Sequence, residues 1–162
     1  TLTNNPVWVK SVGGCTETPN LETRDWTKAM YTRLAAEMAY KNAKIRNPWK
    51  EVDFAEVHDF FAYKELQHME SLKLCDYGEA GKLTEDGITA PNGEFPVNPS
   101  GGLLGTGYGL EASGMQKLLE TVLQLRGEAG ARQIANAEVG LAHTWRGIPT
   151  ATGVVAILSN VK

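Results

Sequence analysis

Three short stretches place polar side chains where packing alone would not ask for them. His58-Asp59 closes an apolar run, VDFAEVHDFF. Tyr108 stands among glycines in Gly105-Thr106-Gly107-Tyr108-Gly109, and His143 opens His143-Thr144-Trp145-Arg146-Gly147. Imidazole and phenol groups can pass protons to a reacting molecule, and glycines let the backbone approach it closely. Each stretch also has a plainer reading. A single histidine at a strand end is more often a hydrogen-bonded structural residue, and a glycine-flanked tyrosine is more often packed into its turn. The glycine run lacks the spacing of a P-loop.

The elements around these stretches read as alternating strands and helices. PVWVKSVGG, from Pro6 to Gly14, predicts a strand running into a glycine turn. Asp25 can cap a helix over Thr27–Lys44, with Ala29, Met30, Leu34, Ala35, Met38 and Ala39 on one apolar face. Asn47-Pro48 stops it. VDFAEVHDFF predicts a short buried strand, and AYKELQHMESLKL a helix ending near Cys75. Asp76 to Thr106 is rich in Gly, Asn and Pro, but Leu83, Ile88, Phe95 and Val97 predict an ordered loop. A further helix carries Met115, Leu118, Leu119, Val122 and Leu123 on one side and ends near Gly127. EVGLAHTW and GVVAIL, separated by RGIPTAT, predict neighbouring central strands. Together these predict a single α/β domain over residues 1–162, a mixed β-sheet with helices on both faces. Strand ends and strand-to-helix turns are where such domains collect binding groups.

Bulk properties narrow the function. The 162 residues carry a net charge of −3, which argues against nucleic acid or an anionic membrane as the main partner. No apolar stretch approaches the ~20 residues of a membrane-spanning helix. The start, TLTNNPVWVK, has no signal-peptide layout and no initiator Met, and reads as a processed end or an interior fragment. Cys15 and Cys75 form neither a disulfide framework nor a zinc site, and read as free thiols in a reducing cytoplasm. No metal site is expected.

Taken in order, VHDFF, NPSGGLLGTGYGLEASG and LAHTWRG resemble the three C-terminal motifs of thiolases. The His-Asp form of the first resembles the sterol-carrier-type branch, which VNPSGGLL and LQLRGEAGARQ also match. The resemblance runs from Val7 to Leu158. It implies the C-terminal half of the thiolase fold and a substrate activated as a coenzyme A thioester, with no cofactor bound permanently. It also implies catalytic roles for Tyr108, His58 and His143, with Asp59, Gly105, Gly107, Gly109 and Gly147 around the substrate. An N-terminal thiolase half, as a separate or cleaved chain, and a dimer of thiolase units follow from it too.

The departures from the thiolase pattern shift the expected reaction. Tyr108 takes the place of the histidine that activates the thiolase nucleophile, Glu111 that of a small residue, and His143 that of the second catalytic cysteine. The nucleophilic cysteine itself belongs to the N-terminal half, and neither Cys15 nor Cys75 lies in a motif that could replace it. A free tyrosine ionises near pH 10 and a histidine near 6.5, so a tyrosine there enters as a proton donor. A base role near neutrality would require a pKa lower by about 3, roughly 4 kcal/mol. Retro-aldol cleavage needs one group to take the β-hydroxyl proton and another to stabilise or protonate an enolate, which suits a Tyr/His pair. The pattern most resembles thiolase-like aldolases of steroid side-chain degradation, which carry a tyrosine there and work with a small OB-fold partner. The resemblance therefore implies a C–C bond-cleaving enzyme acting on a β-hydroxy acyl-CoA such as a steroid side-chain thioester. A thiolase or acyl-CoA acyltransferase using an N-terminal cysteine is the first alternative. A catalytically silent structural subunit is the second.

Overall fold

In the computed structural model, which describes residues 3–147 and 151–162, four strands form one mixed sheet. The strands are β1 (Trp8–Thr16), β2 (Phe54–Glu56), β3 (Val139–Arg146) and β4 (Thr152–Ser159). Their order is β1-β4-β3-β2. β4 runs antiparallel to both its neighbours, pairing Val155 with Gly13 and with His143. β2 lies parallel to β3, with Phe54 opposite Gly140. The two last strands are thus adjacent and central, as their unbroken apolar runs predict. Among the described residues no helix is long and apolar enough to cross a membrane.

Helices cover both faces. The main ones are α1 (Met30–Ala43), α2 (Pro48–Glu51), α3 (Ala62–Ser71), α4 (Ala80–Glu85), α5 (Gly102–Thr106) and α6 (Ser113–Arg126). Alternation along β4 separates two cores. Val155 and Ile157 pack with Ala35, Ala36 and Ala39 of α1, while Ala156 and Leu158 pack with Leu125, Leu118 and Val122 of α6. The first layer is unusually tight. A Cβ at Gly13 would lie 2.0 Å from the Ala35 carbonyl oxygen, so glycine lets α1 rest directly on β1.

Four local expectations are corrected. α1 begins at Met30 rather than Thr27, because Asp25 accepts from Thr27 N–H and closes a turn ahead of the helix. Its buried face is Tyr31, Thr32, Ala35, Ala36, Ala39 and Tyr40, leaving Leu34 and Met38 exposed. α6 is turned so that Ser113, Lys117, Glu120, Thr121 and Gln124 face inward, while Met115 and Leu119 face outward. The segment 76–106 is ordered, but it contains α4 and α5 and bridges the sheet through Ala55 and Val97.

Candidate functional site

The site grows from the point where β2 ends and the chain passes through His58 and Asp59. Asp59 turns inward, only 1% exposed. Its carboxylate accepts from Leu103 N–H at 2.8 Å and Leu104 N–H at 3.5 Å, and pairs with Lys117 Nζ at 3.2 Å. Asp59, which the thiolase resemblance places around the substrate, thus holds the glycine turn through its carboxylate. Gly102 adopts φ 64°, and a Cβ there would strike the Asp59 carboxylate, which explains the double glycine of NPSGG.

Lys117 sits at the centre of a buried polar network. Its ammonium also reaches Glu56 at 3.1 Å and the side-chain oxygen of Asn98 at 2.8 Å. Glu56 in turn accepts from the backbone and hydroxyl of Ser100. Asn98 accepts from Val57 N–H and donates to Glu65. Burial pushes the carboxyls of Glu56 and Glu65 up, against the pull of Lys117 on both. The network ties three distant pieces of chain together: strand end 56–59, turn 98–103 and helix α6. A buried charge without partners would be costly, which is why α6 turns its polar face inward.

All three histidines of the chain gather beside this network. His58 stacks edge-on against Tyr108 at 6.0 Å between ring centroids and against Trp145 at 5.6 Å. His143 lies beneath, fully buried. Its Nδ1 accepts from the backbone N–H of His58 at 3.4 Å, and its Nε2 meets the Thr32 hydroxyl at 3.0 Å. Tyr108 is 41% exposed and packs on Phe60 at 4.3 Å. The residues implied as catalytic thus stand side by side, with Tyr108 outermost and His143 innermost. Both nitrogens of His143 are engaged within the fold, so it presents no free ring nitrogen to a substrate. His58 differs: among the described residues its buried Nδ1 has no hydrogen-bond partner, nor has Trp145 Nε1.

Electrostatics keeps the histidines neutral. Burial, followed by the nearby Lys117 charge, lowers His58 to about 4. Burial lowers His68 to about 3 and holds His143 well below the usual histidine range. The thiols are equally quiet. Burial, then Glu70, pushes Cys75 up to about 12, and burial raises Cys15 as well, so neither has the depressed pKa of a nucleophilic cysteine. Among the described residues no group of three or more His, Cys, Asp or Glu side chains is arranged to hold a metal ion.

The glycines divide by role. Gly105, Gly107 and Gly109 are exposed beside Tyr108, and the space above a Cβ at Gly105 or Gly107 is empty. Gly147 lies against the Trp145 ring at the close of β3, and residues 148–150 beyond it lie outside those described. Several site residues carry no motif. His68 reaches the site from α3, together with Lys64 four residues earlier on the same buried stripe. Tyr31 arrives from α1, and Lys117 from α6. The available signal was a lysine and a histidine at helical spacing among apolar neighbours.

Residues 13–160 match the family described as thiolase C-terminal domain-like. The chain belongs to this family. It is 42% identical over 142 residues to an acetyl-CoA acetyltransferase of Methanothermobacter thermautotrophicus, a match covering 87% of this chain. It is 41% identical over 112 residues to sterol carrier protein 2 of Bos taurus, covering 69% of this chain. The chain spans 37% of the first relative and 20% of the second. Its fold superimposes on the Ltp2-ChsH2(DUF35) aldolase with a TM-score of 0.85 at 22% identity, covering 99% of this chain and 41% of that one. A monomeric SCP2-thiolase-like protein type 1 from Mycobacterium smegmatis gives a TM-score of 0.67 at 17% identity, covering 96% of this chain and 29% of that one. As in those two structures, the thiolase-type C-terminal domain here is an α/β unit built on a mixed sheet.

Proposed function

We propose that this thiolase-type domain belongs to an enzyme that cleaves the Cα–Cβ bond of a β-hydroxy acyl-CoA by a retro-aldol reaction. The observation that carries the reading is the pair His58 and Tyr108: a neutral imidazole whose buried Nδ1 has no hydrogen-bond partner among the described residues, edge-on to an exposed tyrosine. An imidazole that stays neutral down to about pH 4 is a poor store for a proton but a good hydrogen-bond donor to a developing oxyanion. His58 therefore holds the thioester oxygen as the enolate forms. Tyr108 handles the proton. As Cβ=O forms and the Cα–Cβ electrons move toward Cα and the thioester oxygen, the phenol gives its own proton to Cα while its oxygen takes the β-hydroxyl proton, so the oxygen never carries two protons at once. The products are an aldehyde or ketone and a shorter acyl-CoA, and Tyr108 ends as it began.

The domain works with an N-terminal thiolase half. Two features support this partner: the chain spans 37% of its acetyltransferase relative, and Met115 and Leu119 of α6 are exposed, as are Leu104 and Leu110. Large apolar side chains left exposed are the kind that an interface covers. Pairing of such units into a dimer and a small OB-fold partner belong to the same reading. Coenzyme A enters as part of the substrate.

Tyr108→Phe in the full-length protein tests the chemistry, because it keeps the ring and removes only the hydroxyl. Turnover of a β-hydroxy acyl-CoA should fall by about 10²–10⁴-fold, with little change in thermal stability. Near wild-type turnover would return Tyr108 to a packing role. Acyl transfer through a cysteine of the N-terminal half is the second reading, favoured by the 42% identity to an acetyl-CoA acetyltransferase. Consumption of a β-keto acyl-CoA only when free coenzyme A is added would select it.

A further inference from the structure

His58 is gripped through its own peptide groups by the two other histidines. Its N–H points to Nδ1 of His143 at 3.4 Å, and its carbonyl oxygen meets Nδ1 of His68 at 2.8 Å. These contacts dictate tautomers. A carbonyl can only accept, so His68 carries its proton on Nδ1 and has a lone pair on Nε2. An N–H can only donate, so His143 has its lone pair on Nδ1 and carries its proton on Nε2, from which it donates to Thr32 at 3.0 Å.

The lone pair of His68 is met by a directed chain. Tyr31 O–H lies 3.1 Å from His68 Nε2, and Lys64 Nζ donates to the Tyr31 oxygen at 3.3 Å. An ammonium can only donate, so the order Lys64 to Tyr31 to His68 to the His58 carbonyl runs one way. Lys64 has no carboxylate within ion-pairing distance among the described residues. Its ammonium lies 4.9 Å from the Trp145 ring centroid and 5.9 Å from that of Tyr31, and it also donates to Gln67. A buried lysine set among aromatic faces, with no carboxylate within 4 Å among the described residues, is expensive to keep.

We propose that His68 and His143 are positioning residues that hold His58 with its ring against Tyr108, and that Lys64 and Tyr31 fix the tautomer in which His68 can do so. This rests on the retro-aldol reading for its catalytic consequence, but not for its geometry. Burial keeps both clamping rings neutral, the state in which each has one donor and one acceptor.

The test combines ¹⁵N-histidine NMR with kinetics on the full-length protein. In the wild type, His68 should appear as the Nδ1–H tautomer and His143 as the Nε2–H tautomer. Tyr31→Phe and Lys64→Met should turn His68 into a tautomer mixture and shift the His58 ring resonances. His68→Asn keeps a donor near the Nδ1 position and should preserve the His58 resonances, whereas His68→Leu should shift them. Turnover should fall about tenfold to a hundredfold in His68→Leu with KM little changed, and recover in His68→Asn. An Nε2–H tautomer for His68 in the wild type would overturn the proposal without any variant having to fold. Unmoved His58 resonances in Tyr31→Phe would overturn the part played by the chain from Lys64. Shifted His58 resonances with unchanged turnover would sustain the clamp and overturn the catalytic reading of His58.

Discussion

A Cβ placed on Gly102 would lie 1.8 Å from Oδ2 of Asp59, so the carboxylate occupies the space that a side chain would need. Residues 43 positions apart in sequence thus determine each other, and Gly102→Ala meets two penalties. The left-handed φ of 64° costs an alanine about 1–2 kcal/mol, and Asp59 must move off the Leu103 and Leu104 amides. The thermal midpoint of the full-length protein should drop by several degrees, with turnover falling in parallel. Gly105→Ala is the control, because the space above it is empty. It should change stability by under about 1 kcal/mol. An equal loss in both variants would show that the Asp59 contact is incidental.

Lys117→Met removes the ammonium that lies 3.1 and 3.2 Å from Glu56 and Asp59. Breaking a buried pair from one side costs about 3–5 kcal/mol. Adding Glu56→Gln to Lys117→Met removes an uncompensated charge and should recover part of the loss. Chemical denaturation of the wild type, the single and the double variant forms the required comparison. A single variant as stable as the wild type would mean that the network is relaxed by other groups.

The histidines set an acid limit on stability. His58 ionises near 4 and His68 near 3 in the folded chain, against about 6.5 when unfolded. Between pH 6.5 and about 4 the unfolded chain takes up protons that the folded chain refuses, so stability falls as pH falls. His58 alone accounts for roughly 3 kcal/mol across that window. Glu56 and Glu65, whose carboxyls are raised, act in the opposite sense. Replacing His68 by Asn should therefore flatten the loss between pH 6.5 and 4, by up to about 1.4 kcal/mol per pH unit. Unfolding curves at pH 7, 6 and 5 check this. An unchanged slope would mean that His68 is protonated in the fold.

Met115 and Leu119 are 66% and 59% exposed on the outward face of α6. If the N-terminal half covers them, Met115→Glu with Leu119→Lys should weaken association of separately expressed halves by at least tenfold. The same changes should leave the 162-residue chain more monodisperse by light scattering. Undiminished association would place the interface on another face.

Much of the fold could be read from residue patterns. The apolar runs of β3 and β4 leave little choice but central strands, and the motif order places the glycine turn beside His58 and Tyr108. The orientation of the helices was harder to read. Hydrophobicity alone would bury Met115 and Leu119, yet the buried carboxylates at Glu56 and Asp59 demand Lys117, and a helix cannot present both faces at once. Leu34 and Met38 mislead for a related reason: α1 sits so close to Gly13 that only small residues such as Ala35 and Ala39 fit beneath it. Within the site, the contacts of Asp59 could not be read, because two of its partners are backbone amides, which leave no mark in a sequence, and the third, Lys117, lies 58 positions away. His68, Lys64 and Tyr31 were missed because none lies in a motif.

The Lys117 network also has a consequence for descent. Glu56, Asp59, Asn98 and Lys117 come from three separate segments but share one ammonium. No one of them can be exchanged alone without stranding a buried polar partner. In related chains these four positions should change together or not at all. A relative with an apolar residue at the lysine position should also have lost a carboxylate at one of the two acidic positions, and with Asp59 gone the glycine at position 102 would be free to become another amino acid.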